Sequence, residues 1–364
     1  MIDERDRAFL GMAAALAEKA LGLTHPNPHV GSVVVRGGTI LGTGYHEAAG
    51  RPHAEVVALG RAGRKARGAT LYVTLEPCVH WGRTPPCVGT VTAAGIKRVV
   101  VAGLDPNPII RGRGVRQLRA AGIAVDVAAG SGPRFNEIYT KFIVAKRPFV
   151  TLKAAISLDG KLATRAGEAR WISSPAAREY AHLVRAENDA ILVGDKTIRA
   201  DDPSLTVRPP GGSAKKILRV VLDPALRTPP DAKILMNPAR GSLLLYANEG
   251  ASSPRKERLL RSGAEVVVFP GRGPELDLHR VLEDLGRREI AGLLVEGGGR
   301  IAAGFLDAGL VDKVLLIFAP LLIGGAKAVS LYAGTGAGPL AEAPRVSRVS
   351  TFRLGGDLLL EGYL

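Results

Sequence analysis

Cysteine is nearly absent: 364 residues hold only Cys78 and Cys87, so no disulfide framework exists. A chain this poor in cysteine fits a reducing compartment, where thiols serve as ligands or nucleophiles, and a cytoplasmic location is expected. Aromatic residues make up 5%, which leaves few platforms for stacking unpaired bases. No apolar run approaches the roughly 20 residues needed to cross a bilayer, so no membrane partner is expected. AFLGMAAALA is the nearest thing to one, but MIDERDR ahead of it mixes acids and bases, and Glu18 and Lys19 end it. That pattern predicts an amphipathic helix, not a signal peptide.

What is present is positive charge. Lys and Arg number 49 against 34 Asp and Glu, a net +15. Such a balance suits a phosphorylated small molecule, a nucleic acid, or only a solvated basic surface. Length alone suits two domains, each able to bury its own core.

The first 130 or so residues alternate strand-like and helix-like patterns. A helix over about 5–20 leads to VGSVVVRGG and TILGTGYH, two strands around a Gly-Gly turn. HAEVVALGRAG reads as a helix, ATLYVTLEP as a strand, and PPCVGTVTAAG as a helix opened by proline and closed by glycine. KRVVVAGLD, RGRGVRQLRAAG and IAVDVA continue as strand, helix and strand. The pattern weakens between about 131 and 148, and RPFVTLKAAISLDG opens a new series. The boundary is expected near 146, giving domains 1–146 and 147–364. In the second, ILRVVLD, GSLLLYA, AEVVVF, AGLLVEGGG and DKVLLIFAP predict an α/β domain around a mostly parallel sheet.

The two cysteines stand in TLEPCVHWGRTPPC, and HAEV lies upstream. His53, Cys78 and Cys87 offer one imidazole and two thiolates to a tetrahedral zinc, with one position left for water, as catalytic zinc sites require. Glu55, two residues beyond His53 on the same helix, can move a proton between that water and a leaving amine. Hydrolytic deamination is the expected chemistry. H-x-E with P-C-x-x-C is the zinc deaminase signature, but here eight residues separate the cysteines. His25, His29 and His46 are read as pocket-wall or structural residues, none of them a ligand.

HPNPHVGSVVV, GYHEAAGRPHAEVVAL and YVTLEPCVHWGRTPPC resemble the deaminase half of the bifunctional riboflavin-biosynthesis deaminase/reductases. FVTLKAAISLDGKLAT, the stretch from GEARWISSP to PSLTVR, and LLVEGGGRIAAGFLDAGLVDKV resemble the reductase half. The resemblance covers nearly the whole chain. It implies a cytidine-deaminase-like α/β/α domain followed by a dihydrofolate-reductase-like α/β domain, with Zn2+ and NADPH as cofactors and a homo-oligomer associating through the reductase half. The substrate it implies is 2,5-diamino-6-ribosylamino-4(3H)-pyrimidinone 5′-phosphate, deaminated and then reduced.

The same resemblance places Asn27, His80, Arg83 and Thr84 against substrate in the first half. In the second it places Ala169, Arg185, Leu205, Arg208 and Glu296 against substrate, and Ala155, Trp171, Thr197 and Asp201 against the cofactor. Gly298, Gly299, Arg300, Ile301, Ala302, Ala303 and Gly304 follow a strand and open a helix, an arrangement whose bare N–H groups suit a pyrophosphate. Lys153 is expected to hold or protonate the opened ribose, with Asp201 as the alternative for orienting it. The rival reading is a tRNA adenosine deaminase with an unrelated C-terminal domain, which would expect a close C-x-x-C pair and a nucleic-acid partner. A zinc-stabilised binding module, the third reading, would need a fourth protein ligand.

Overall fold

The computed structural model describes residues 2–81, 85–128, 136–209, 215–236 and 241–364. Two compact units divide the chain, Met1–Lys146 and Arg147–Leu364.

The first unit opens with α1 (Glu4–Glu18), capped by Asp3, whose side chain accepts from the Asp6 N–H while the Asp6 carboxylate reaches back to the Asp3 N–H. Strands β1 (Gly31–Arg36), β2 (Thr39–Tyr45), β3 (Thr70–Val73), β4 (Arg98–Val101) and β5 (Ala124–Val127) form one sheet in the order β2-β1-β3-β4-β5. Its β1–β2 and β1–β3 pairs are antiparallel and the rest parallel. Because successive side chains on a strand face opposite ways, the apolar runs feed both faces. Val33, Val35, Tyr72 and Val100 pack on α1. Val34, Leu71, Val73, Val99 and Val101 pack on α2 (Ala54–Ala62), α3 (Cys87–Ala93) and α4 (Arg113–Ala120). The result is three layers, α/β/α.

Glycine sets how closely α2 lies on β2. A Cβ at Gly42 would stand 2.3 Å from the Ala58 carbonyl oxygen, and one at Gly44 2.5 Å from that of Ala54, so no other residue admits this approach. The start of α2, which carries His53 and Glu55, is thereby fixed against the sheet.

In the second unit nine strands run β11-β10-β9-β8-β12-β6-β13-β16-β15. These are β6 (Phe149–Ser157), β8 (Ala190–Gly194), β9 (Leu218–Leu222), β10 (Leu243–Asn248), β11 (Glu265–Phe269), β12 (Gly292–Val295), β13 (Lys313–Ala319), β15 (Ser347–Leu354) and β16 (Asp357–Tyr363); β7 (Lys161–Ala163) and β14 (Val329–Ser330) pair apart. Every pair from β11 to β13 is parallel. The β15–β16 hairpin adds an antiparallel edge. One face packs on α9 (Leu278–Arg287) and α10 (Gly299–Asp307), and the other on α7 (Asp195–Asp201) and α8 (Ser253–Arg261). Helix α6 (Pro175–Glu187) covers Leu294, Leu315 and Ile317.

Two elements depart from the sequence reading. Helix α5 (Glu137–Ala145) occupies the stretch where the pattern weakens, with only Tyr139 and Phe142 buried. Strand β15 is almost wholly exposed, so it carries no alternation for a periodic reading to detect.

Candidate active sites

His53 is the N-cap of α2 and Cys87 the first residue of α3, so both stand where helix N-termini favour negative charge. His53 Nδ1 lies 3.0 Å from Cys87 Sγ and 3.5 Å from Cys78 Sγ. The Cys87 N–H donates to Cys78 Sγ at 3.3 Å. All three ligand atoms fall within 4.8 Å of one another, and among the described residues no fourth His, Cys, Asp or Glu joins them. One nitrogen and two sulfurs at this spacing fit a zinc with an open position, not a closed structural site.

A hydrogen bond from Cys87 brings Cys78 down to about 4 against the opposing effect of burial, with His53 and the Cys87 N–H adding to it. Cys87 is pushed up, first by that hydrogen bond and then by burial. His53 is raised by its hydrogen bond to Cys78 despite burial. Glu55 is buried and hydrogen-bonded to Cys87; burial, then the Cys78 charge, raises its carboxyl. A carboxyl held up in this way takes a proton more readily than an ordinary carboxylate, as a group that carries one between water and amine must.

Asn27 is tied to this cluster through His46, one of the histidines the sequence suggests as pocket-wall or structural residues. His46 Nδ1 lies 3.2 Å from the Pro52 carbonyl and must donate to it, which leaves Nε2 to accept from Asn27 Nδ2 at 3.2 Å. Burial lowers the His46 pKa, consistent with that neutral tautomer. The rings of His46 and His53 meet edge to face, 5.2 Å apart. The Asn27 loop is held from beneath by Asn136, whose Oδ1 accepts from the His29 N–H at 2.8 Å and whose Nδ2 donates to the His29 carbonyl at 2.9 Å.

The cysteine loop is anchored by buried Glu76, two residues before Cys78. Its carboxylate accepts from the N–H groups of Asp105 (3.3 Å), Gly112 (2.8 Å) and Val115 (3.0 Å). A Cβ at Gly114 would stand 2.2 Å from the Pro77 carbonyl oxygen. His80 is exposed, two residues beyond Cys78, and is not one of the three clustered donors. Arg83 and Thr84 lie outside the described residues.

In the second unit Lys153, Arg185 and Glu296 converge. Arg185 Nε and Nη2 donate to Glu296 Oε1 and Oε2 at 3.1 and 2.6 Å, and Arg185 Nη1 donates to the Thr206 carbonyl at 3.1 Å. Lys153 Nζ stands 3.7 Å from Glu296 Oε1. Burial alone would raise the Glu296 carboxyl, but the charges of Arg185 and Lys153 outweigh it and hold it at about 2. Lys153 is lowered by burial, with Glu296 opposing. His182, one turn before Arg185 on α6, accepts from the Arg208 N–H at 3.3 Å and so joins exposed Arg208 to the cluster. His182 and Arg185 are three positions apart, the spacing that puts two helical side chains on one face. Leu205 holds a left-handed φ of 46°, a conformation a branched residue keeps only where its surroundings enforce it.

The carboxyl ends of the parallel strands carry the remaining candidates. Gly298 is the N-cap of α10, and a Cβ there would meet nothing within 4 Å. The space beside this cap is therefore open, and a helix N-terminus of this kind suits a pyrophosphate. At Gly299 a Cβ would stand 2.1 Å from the Ser330 carbonyl oxygen, so the turn admits only glycine. Arg300, Ile301, Ala302, Ala303 and Gly304 continue α10, and of these Ala302 and Ala303 are buried under it. Thr197 and Asp201 lie on α7, whose Asp201 carbonyl accepts from Arg170 Nη2. Trp171 is 72% exposed beneath the Arg178 guanidinium, 4.6 Å from its ring. Ala155 lies on β6 and Ala169 in the turn ahead of Trp171.

The cytidine and deoxycytidylate deaminase zinc-binding region matches residues 3–103, and the RibD C-terminal domain matches residues 148–360. The riboflavin biosynthesis protein RibD of Aquifex aeolicus is 44% identical over 99% of both chains, and that of Escherichia coli 38% over 98% of both. Among solved structures, Acinetobacter baumannii RibD superposes with a TM-score of 0.88 at 35% identity, covering 99% of both chains. A diaminohydroxyphosphoribosylaminopyrimidine deaminase/5-amino-6-(5-phosphoribosylamino)uracil reductase from Thermotoga maritima superposes at 0.85 with 32% identity, covering 99% of this chain and 98% of that one.

Proposed function

Because this chain belongs to the RibD family of bifunctional riboflavin-biosynthesis deaminase/reductases, we propose that its two units act in turn on one phosphorylated pyrimidine. Residues 1–146 deaminate 2,5-diamino-6-ribosylamino-4(3H)-pyrimidinone 5′-phosphate. Residues 147–364 then reduce its ribosyl group to give 5-amino-6-(5-phospho-D-ribitylamino)uracil. The tRNA deaminase alternative is set aside, since both halves match this family over nearly the whole chain.

The observation that carries the reading is the set of three zinc donors with buried Glu55 beside it. Zinc, when held by His53, Cys78 and Cys87, supplies Lewis-acid activation of water. Glu55 accepts the proton from that water and returns it to the departing amine. Asn27, with its amide fixed by His46, presents its carbonyl oxygen and its second N–H to the pyrimidine. His80, Arg83 and Thr84 complete the substrate side.

NADPH, when bound over Gly298–Gly304, supplies hydride to C1′ of the ribosyl group. Arg185 and Arg208 bind the sugar phosphate, Glu296 accepts from the sugar, and Ala169 and Leu205 form the wall. Lys153, held at low basicity by burial, delivers the proton that reduction at C1′ requires. Ala155, Trp171, Thr197 and Asp201 line the cofactor.

No helix among the described residues is long and apolar enough to cross a membrane. The enzyme is proposed to work in the cytoplasm on a small molecule, without nucleic acid, as a homo-oligomer. Incubating the purified protein with the diaminopyrimidine ribosyl phosphate, with and without NADPH, tests the reading by product mass. Deamination alone without cofactor and deamination plus reduction with it are expected. Unchanged substrate in both tubes, with folded and zinc-loaded protein, would overturn it.

A further inference from the structure

Beyond α7 the chain runs from Asp202 to Arg208 in neither helix nor strand, and two of its backbone groups find partners on α6 instead. Leu205, Thr206 and Val207 are buried, and the chain surfaces at Arg208. Two side chains one helical turn apart hold this segment. Arg185 Nη1 donates to the Thr206 carbonyl at 3.1 Å, and His182 Nδ1 accepts from the Arg208 N–H at 3.3 Å. Helix α6 is a fixed reference for both. Ser174 caps its start by accepting from the Ala177 N–H, and at its other end Lys215 Nζ donates to the Ala186 and Asn188 carbonyls at 2.9 and 2.7 Å. Pro209 follows Arg208 directly and biases the Arg208 backbone towards extended conformations. The place where the Arg208 side chain leaves the surface is thus set by its neighbour in sequence and by the His182 ring.

Donor arithmetic says why that place matters. A guanidinium has five N–H groups, and Arg185 commits three of them, two to Glu296 and one to Thr206. Its charge is already matched by the Glu296 carboxylate, 2.6 Å away. A phosphate arriving here therefore meets two remaining donors on Arg185 and depends on Arg208 for its counter-charge. The bond to Arg208 also fixes the state of His182. A ring nitrogen that accepts from an N–H carries no proton, so the proton of the neutral ring sits on Nε2. Burial lowers the His182 pKa, and the charges of Arg185, Arg208 and Lys153 lower it further against the opposing Glu296. Protonation at Nδ1 would set one donor against another and release the Arg208 N–H.

We propose that His182 is a positioning residue of the reductase, whose neutral ring holds the Arg208 backbone so that Arg208 and the two remaining donors of Arg185 close together on the substrate phosphate. The proposal rests on the reading given above, in which both arginines bind the sugar phosphate. His182 acts through Arg208 and takes no part in hydride or proton transfer.

Steady-state reduction of already deaminated substrate by the full chain, with and without its 5′-phosphate, tests it. In His182→Leu the KM for the phosphorylated substrate should rise roughly fivefold, as for the loss of one hydrogen bond, while kcat stays within about twofold and reports an intact fold. The KM for the dephosphorylated substrate should not move, because it has no phosphate for Arg208 to meet. His182→Asn puts an amide oxygen near the position of Nδ1 and should return the KM to within about twofold of wild type. His182→Gln carries its oxygen one bond further out and should behave as His182→Leu does. In an Arg208→Gln background His182→Leu should add nothing, since the two act through one contact. An unchanged KM in His182→Leu, an equal rise for both substrates, a failure of His182→Asn to restore it, or a penalty that survives in Arg208→Gln would overturn the inference and leave the reductase reading in place. Wild type that reduces neither substrate, or Arg208→Gln with an unchanged KM for the phosphorylated one, would overturn the reading of the phosphate site, and the inference with it.

Discussion

Arg185 grips Glu296 through two parallel hydrogen bonds, 3.1 and 2.6 Å long, from Nε and Nη2. The pair sits within reach of Lys153, so one buried carboxylate balances two buried cations. Replacing Glu296 with Gln leaves both cations without that charge, and breaking a buried pair destabilises by on the order of 3 kcal/mol. The second unit of Glu296→Gln should unfold at lower denaturant, with reduction lost. An unchanged midpoint would show that the carboxylate is not needed to hold the two cations.

Glu55→Gln removes the proton carrier while keeping the shape of the side chain. Ammonia release should fall by at least about 10³-fold, in the range for loss of a general acid/base. Zinc content by elemental analysis should stay at the wild-type level, and reduction of already deaminated substrate should be unaffected. Loss of zinc together with ammonia release would make Glu55 a ligand instead.

Asn136→Ala breaks both hydrogen bonds to the backbone of His29, leaving a buried donor and acceptor unpaired at about 1–3 kcal/mol. The loop that presents Asn27 is then released from beneath. The deaminase KM should rise with little change in zinc content, and reduction should proceed as in wild type. A kcat loss at constant KM would assign Asn136 to something other than loop placement.

Asp105 gives the first unit a pH signature. Burial, opposed by its hydrogen bonds to Asn107 and Tyr139, raises its carboxyl from the usual 3.8 to about 6. Between those values the folded unit holds a proton that the unfolded chain has released, so its stability falls as pH rises from about 4 to 6. The loss is on the order of 2–3 kcal/mol, the free energy of a shift of this size. In Asp105→Asn one oxygen still accepts from both partners, because both already meet Oδ1. That variant should be flat over this window and more stable than wild type at pH 7 in urea titrations. An equal slope in both proteins would place the titrating group elsewhere.

Much of this architecture was readable from the residues themselves. The β-branched runs mark β1, β3, β4 and the parallel strands, and HAEV with PCVHWGRTPPC marks the three side chains that the fold gathers as candidate metal donors, because residue type and order are local properties. Asn136 was not readable: its partner lies 107 residues away, and no spacing announces a clasp of that kind. The sequence places His46 as a pocket-wall or structural residue and no further, since its service to Asn27 depends on which ring nitrogen the Pro52 carbonyl engages.

Gly114 sits on α4, yet its missing side chain makes room for the Pro77 carbonyl, one residue from Cys78, a candidate metal donor. A methyl group there would be felt as a shift in the Cys78 loop. Metal affinity in this enzyme is therefore open to tuning from a helix that carries no ligand, and a screen for altered zinc retention should recover changes at 114 among its first isolates.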